Sequence, residues 1–205
     1  MSVAALESFP ARRVAVPPEP VLPLTVEQYH DLIRSGALIS GDPIELLEGW
    51  LVNKMIKNPP HRVAVRKCRM ALESLLPAQW SLDIQEPITT ADSEPEPDIS
   101  VIRGDTTALL DRHPGPDEVG LLVEVADTSL QRDRGWKKRI YAAAGIPAYW
   151  IVNLVERQVE VLTGPSGPGD GPDFGTREVF LPGDQVPVVL DGKEVGRIAV
   201  DDLLP

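Results

Sequence analysis

One acid inside an apolar strand constrains this chain more than any other feature. Leu121-Leu122-Val123-Glu124-Val125-Ala126 reads as a strand buried on both faces, with Glu124 in its middle. An ionised carboxylate in such a place must be paired, hydrogen-bonded or bound to a metal. The plainer alternative is a Glu at a strand edge with its head in water, or paired with a structural Arg. A second acid, Asp98, opens the preceding strand pattern Pro97-Asp98-Ile99-Ser100-Val101-Ile102. Alone, an Asp after Pro is ordinary turn chemistry. Two carboxylates brought together repel and raise one pKa unless a cation lies between them. Magnesium commonly takes one or two carboxylates plus substrate phosphate.

The chain then turns helical from Thr128 to Tyr141. Asp133, Lys137 and Tyr141 stand at four-residue steps and so share one face of an α-helix. Thr128 with Gln131 fits a capping box that would start the helix near Ser129, and Gly145-Ile146-Pro147 would end it. By itself the Asp133/Lys137 pair would be a solvated ion pair worth about 0.3 kcal/mol. Its place directly after the Glu124 strand favours a site. Two acids on neighbouring strands and an amine on the next helix suit a magnesium-dependent phosphodiesterase.

Taken jointly, several segments resemble the Uma-two domain family, restriction-type endonucleases within the PD-(D/E)XK nuclease superfamily. They are Pro97-Asp98, Val123-Glu124-Val125, Asp133-Arg134-Gly135-Trp136-Lys137, Tyr141 and Ala144 through Val152. Upstream, Ile44-Glu45-Leu46-Leu47-Glu48-Gly49 resembles that family's glutamate-bearing hairpin, and Pro59-Pro60-His61 the start of its Pro/His helix. The resemblance spans roughly Thr25 to the C-terminus. It implies a restriction-endonuclease-like core in which the Asp98 and Glu124 strands are adjacent and the Lys137 helix packs behind them. It further implies Mg²⁺ (or Mn²⁺) held by Asp98, Glu124 and the carbonyl of Val125, with Glu45 completing the shell. Lys137 would hold or polarise the attacking water, and Asp133, Tyr141 and His61 would support the site from behind. A homodimer is a further implication. One position departs from the superfamily pattern: Ala126 stands two residues after Glu124, where that pattern has its lysine. The resemblance places the lysine on the following helix as Lys137. Lys138 is the competing candidate, and it breaks the four-residue steps.

At 205 residues the chain is long enough for one domain with a real core, read here as residues 24–205 after a Pro/Ala/Val-rich leader over 1–23. Thr25 to Ser35 reads as a short helix with Thr25 and Gln28 as a capping box, and Ile44 to Ile56 as a hairpin turning at Glu48-Gly49. Pro60 to Leu76 reads as a helix with His61 in its first turn, where a His is more often a cap than a catalyst. Trp80 to Ile88, Ala148 to Leu154 and Arg157 to Leu162 read as strands, and Thr163 to Thr176 as a Gly/Pro-rich flexible loop. Helices and hairpins interleaved around buried strands predict an α/β fold with a central mixed sheet.

A single cysteine, Cys68, excludes an internal disulfide framework and favours a reducing compartment. With no secretory pattern and no run long enough for a bilayer, a cytoplasmic protein without membrane partners is expected. The net charge of −11 argues against indiscriminate DNA binding. Its distribution is uneven. Lys54, Lys57, Arg62, Arg66, Lys67 and Arg69 fall between Asn53 and Leu72 without an intervening acid, and the Lys137 helix adds Arg132, Arg134, Lys138 and Arg139. These could face phosphates, or be ordinary solvated helix faces. His30, His61, His113 and Cys68 lack zinc-ligand spacing, and neither a nucleophile elbow nor a dinucleotide fingerprint is present.

The leading expectation is a metal-dependent DNA endonuclease. A second is a nuclease-like fold kept as a DNA-binding or protein-interaction module without turnover, favoured by the displaced lysine and the acidity. A third is an RNA or nucleotide phosphodiesterase at the same site, which fold resemblance does not separate from the first.

Overall fold

The apolar run around Glu124 forms β5, Val119–Ala126, and every residue of it is buried. The computed structural model describes residues 21–39 and 41–205, so the leader expected over 1–23 lies outside the described residues up to position 20. Around β5 the chain lays down β3 (Trp80–Ile84), β4 (Ile99–Arg103), β6 (Ala148–Asn153), β7 (Gln158–Pro165) and β8 (Phe174–Phe180), in the order β3-β4-β5-β6-β7-β8. β5 and β6 run parallel and the other neighbours antiparallel. The sheet is therefore mixed and flanked by helices, as the sequence pattern predicts. A parallel pair needs a crossover connection, and the helical stretch between β5 and β6 supplies it.

Alternation along β5 assigns its two faces. Leu121, Val123 and Val125 pack with Ala64, Val65, Cys68 and Leu72 of α2 (Pro59–Glu73) and with Val186 and Val188 of the C-terminal hairpin β9 (Gln185–Leu190) and β10 (Lys193–Ala199). Leu122 and Ala126 face the other way, against Ile140, Tyr141, Tyr149 and Ile151. Glu124 shares that second face by register, which aims it at the crossover helix. Where β5 passes under Trp80 the chain has Gly120, and a Cβ there would lie 2.6 Å from the indole ring.

Two starts of helices follow their sequence signals. Thr25 and Gln28 form both bonds of a capping box ahead of α1 (Val26–Arg34). Asn58 caps α2 by accepting from the His61 N–H, with Pro59 and Pro60 in the first turn, where a missing N–H costs nothing. The hairpin β1 (Ile44–Leu47) and β2 (Trp50–Asn53) turns at Glu48-Gly49, both at positive φ, as a two-residue hairpin requires. A Cβ on Gly49 would also lie 2.3 Å from Pro23 Cβ, so the turn seats the incoming chain.

Four expectations need correction. The crossover helix is not one α-helix: α3 (Leu130–Arg132) is followed by a π-helical turn, Asp133–Lys137, and then α4 (Lys138–Ala143). The Thr128/Gln131 capping box does not form, because Ser129 Oγ donates to the Asp133 carboxylate instead, at 2.6 Å. β3 stops at Ile84 rather than Ile88, because Gln85 turns to φ +56 and sends its N–H to the Asp98 carbonyl. The stretch from Thr163 to Thr176 is not all loop: Thr163 pairs with Thr176 and Pro165 with Phe174, leaving residues 166–173 as the connection. Ladder pairing there overrides the weak strand propensity of Gly and Pro. Among the described residues no helix is long and apolar enough to cross a membrane.

Candidate nuclease site

The π turn determines what the crossover helix can reach. The Lys138 N–H bonds back to the Asp133 carbonyl, five residues earlier, and Tyr149 Oη donates to the same carbonyl at 3.2 Å. Such single turns recur at functional sites. Here the turn leaves Asp133, Lys137 and Tyr141 on the sheet-facing side. Lys137 Nζ and Tyr141 Oη each donate to Glu124 Oε1, both at 2.7 Å. Among the described residues the second oxygen of Glu124 takes no hydrogen bond.

Asp98 sits where β4 begins, beside Val125 of β5. Its Oδ2 accepts from the Val125 N–H at 2.9 Å and faces His61 Nε2 at 3.0 Å, and its Oδ1 accepts from Gln85 Nε2 at 3.2 Å. The N–H and C=O of one strand residue leave on the same side, so the Val125 carbonyl also points toward Asp98. The β4–β5 register would set Pro97 opposite Val125, and proline has no N–H to give that carbonyl. Asp98, Glu124, Glu45, His61, Asp133 and Lys137 all line one cleft of about 50 Å³. That volume holds an ion or about one to two waters, so a polynucleotide would meet it from outside.

The electrostatics are those of buried charge held by specific partners. Burial pushes the Glu124 carboxyl up to about 8, helped by the charges of Asp133 and Asp98 and opposed by the Lys137 ammonium. Burial likewise raises Asp133 to about 6, against Lys137 and the Ser129 hydroxyl. For Asp98 burial acts upward too, but bonding to His61 and the Val125 N–H prevails and holds it below the usual carboxylate range. Burial works against the Lys137 ammonium, yet Glu124, Glu45 and Asp133 outweigh it and hold its pKa well above the ordinary value. Lys137 is therefore a permanent cation here.

Glu45, on β1, is 3 % exposed and lies 3.4 Å from Lys137 Nζ. Its oxygens also accept from Arg132 at 3.2 Å and from the Glu96 N–H at 3.3 Å. Lys138 instead pairs with Asp173, away from the cleft. The other cations of this helix are also taken: Arg132 by Glu45, Arg134 by Glu156 and Glu160, and Arg139 by Glu48.

Four residues in or beside the cleft escaped the sequence reading. Gln85 holds Asp98. Glu96 pairs with Lys54 through its side chain and accepts Lys137 through its carbonyl. Asn58 donates to Asp127. For Glu96 a signal existed, since Glu94-Pro95-Glu96-Pro97 runs straight into Asp98. For Gln85 and the Asn58/Asp127 pair nothing local gave one.

The donors available to a cation are hard oxygens: Asp98, the unbonded oxygen of Glu124 and the Val125 carbonyl. That chemistry fits magnesium or manganese. No three His, Cys, Asp or Glu side chains converge as a ready cage among the described residues, and magnesium does not need one, since it keeps several waters.

Comparison with known proteins bears on the family and the fold. No curated protein matches the chain by sequence. A solved structure described as a "putative nuclease belonging to DUF820 from Anabaena variabilis ATCC 29413" superposes with a TM-score of 0.64 at 19% identity, covering 88% of this chain and 97% of that one. At that identity the likeness is one of fold. The Uma2 family model, described as "Putative restriction endonuclease", matches residues 26–192, most of the chain and all of the cleft, and the chain belongs to that family.

Proposed function

We propose that this protein is a metal-dependent endonuclease that hydrolyses DNA phosphodiester bonds. The observation that carries the reading is the convergence, in one cleft, of Asp98 and Glu124 from adjacent strands with the buried Lys137 amine. The family description and the nuclease-like fold support it. Asp98, Glu124 and the Val125 carbonyl would hold Mg²⁺ (or Mn²⁺). When bound, such an ion lowers the pKa of a water and offsets charge on the scissile phosphate. Lys137, a fixed ammonium, orients an attacking water and stabilises negative charge on phosphate oxygens; it does not serve as the base. Asp133 and Tyr141 position Lys137 and Glu124, and His61 positions Asp98. Glu45 can add a ligand only by releasing Arg132 or Lys137, so its first role is to anchor Lys137.

The test is nicking and linearisation of plasmid by purified protein with Mg²⁺ and with Mn²⁺, beside an EDTA control and Asp98→Ala and Glu124→Ala variants. Metal-dependent cutting lost in both variants is the expected result. Cutting that survives in Glu124→Ala would sink the assignment. One observation favours a second reading, a binding module without turnover: the Lys137 amine is already engaged by Glu124 and Glu45. It predicts nucleic-acid binding with no strand breaks under any metal.

A further inference from the structure

Beside the cleft, α2 and the end of β3 border a groove of about 860 Å³, and apart from His61 and Gln85 the proposed chemistry does not use its lining. Val65 and Ile84 give it an apolar floor, with the exposed Met70 beside them. Its rim carries Arg62 and Arg66, one helical turn apart and both exposed. Neither guanidinium has a hydrogen-bond or ion-pair partner among the described residues, in a chain of net charge −11 whose crossover-helix cations are all paired. Arg69 continues the row but is matched by Glu73 at 2.8 Å, and Lys57 stands 4.0 Å from Glu96.

The groove adjoins the site: Lys57, Asn58 and His61 line both it and the cleft. His61 and Gln85 line the groove, and they are the two side chains that hold Asp98, one at each oxygen. A ligand in the groove would therefore lie one side chain away from the candidate metal carboxylate. From Arg62 to Arg66 the helix rises about 6 Å, so the two guanidiniums are set to meet separate phosphates of one strand. A row of cations over an apolar floor suits an unpaired strand, with phosphates on the arginines and bases against the floor.

We infer that this groove binds a single-stranded segment of the substrate polynucleotide and leads it to Asp98, with Arg62 and Arg66 as the phosphate contacts. The inference rests on the nuclease reading above and extends it to the form of the substrate. It also gives an acidic protein a local route to nucleic acid.

The experiment is fluorescence anisotropy of a labelled single-stranded DNA oligonucleotide and of its duplex, in EDTA, across a range of salt. It compares the full chain with the Arg62→Ala/Arg66→Ala double variant. A control variant, Lys193→Ala/Arg157→Asn, removes the same charge elsewhere; asparagine tolerates the positive φ at position 157. The expected result is single-strand binding weakened about tenfold or more in the Arg62/Arg66 variant, with the salt slope lower by about 1.4, two contacts at about 0.7 each. The control should bind like the native chain, and all three should have the same far-UV spectrum. Equal weakening in the control would reduce the effect to net charge and overturn the groove. So would duplex binding that falls while single-strand binding holds, or binding unchanged in both. Plasmid cutting run beside it separates the two readings: cutting retained while binding ignores Arg62 and Arg66 overturns the groove alone. No binding by the native chain also overturns the groove, and absence of cutting then counts separately against the nuclease.

Discussion

Lys137 Nζ lies 2.7 Å from Glu124 Oε1, and both side chains are buried. Removing one member of a buried pair leaves the other uncompensated, at a cost of about 3 kcal/mol or more. Lys137→Met should therefore lower stability as well as abolish cleavage. The loss is limited by proton uptake, since burial already pushes Glu124 up to about 8. Glu124→Gln/Lys137→Met should recover much of the stability while staying inactive. Urea denaturation of the single and double variants checks this. A double variant whose loss equals the sum of the two singles would show that the pair does not interact.

Two buried glutamates with opposite shifts contribute to opposite limbs of the pH dependence of stability. Glu124 has a folded pKa above its unfolded value, so its contribution is full below about 4.5 and is lost as pH rises toward about 8. Glu160 is the reverse. Burial raises it, but Arg134, Arg177 and Asn153 prevail and depress it to about 2. Its contribution is full above about 4.5 and is lost as pH falls toward about 2. Urea midpoints measured from about pH 3 to about pH 9 should decline on both sides. Glu160→Gln should flatten the acid limb only, and Glu124→Gln the alkaline limb only.

The acids were legible because burial makes a charge conspicuous: Glu124 inside five apolar neighbours had to have a partner. The adjacency of the Asp98 and Glu124 strands came from the family resemblance. Lys137 was legible through its place after the Glu124 strand, the family resemblance and its spacing to Asp133 and Tyr141, and that spacing tolerated the π turn, since residues four apart stay on one side of either helix. The turn itself was not legible. It depends on Ser129 taking the Asp133 carboxylate and on Tyr149 reaching the Asp133 carbonyl, contacts set by tertiary packing. Gln85 was hidden for a similar reason: its role comes from a backbone at positive φ that no local signal marks.

Gly135, inside the π turn, offers a stability test. A Cβ there would meet no atom within 4 Å. Replacing a helical glycine by alanine then mainly removes unfolded-chain entropy, about 0.5–1 kcal/mol in favour of folding. Gly135→Ala should raise the urea midpoint and keep metal-dependent cutting. Higher stability with cutting lost would indicate that alanine has converted the π turn to α-helix and moved Lys137 off Glu124.

Tyr141 distinguishes positioning from chemistry. Its hydroxyl reaches only a carboxylate oxygen that Lys137 already holds, and it is fully buried. Tyr141→Phe keeps the ring and its edge-on contact with Tyr149 but deletes one donor to ionised Glu124. A hydrogen bond to a charged group is worth about 1.5–3 kcal/mol, and its loss favours the protonated carboxyl. Cutting in the variant should therefore fall at neutral pH and recover as pH is raised, because the ionised Glu124 is then restored. The rate-against-pH limb should move to higher pH by about one unit or more, with KM nearly unchanged. A rate reduced equally at every pH would assign Tyr141 a direct part in the reaction instead of the positioning of Glu124.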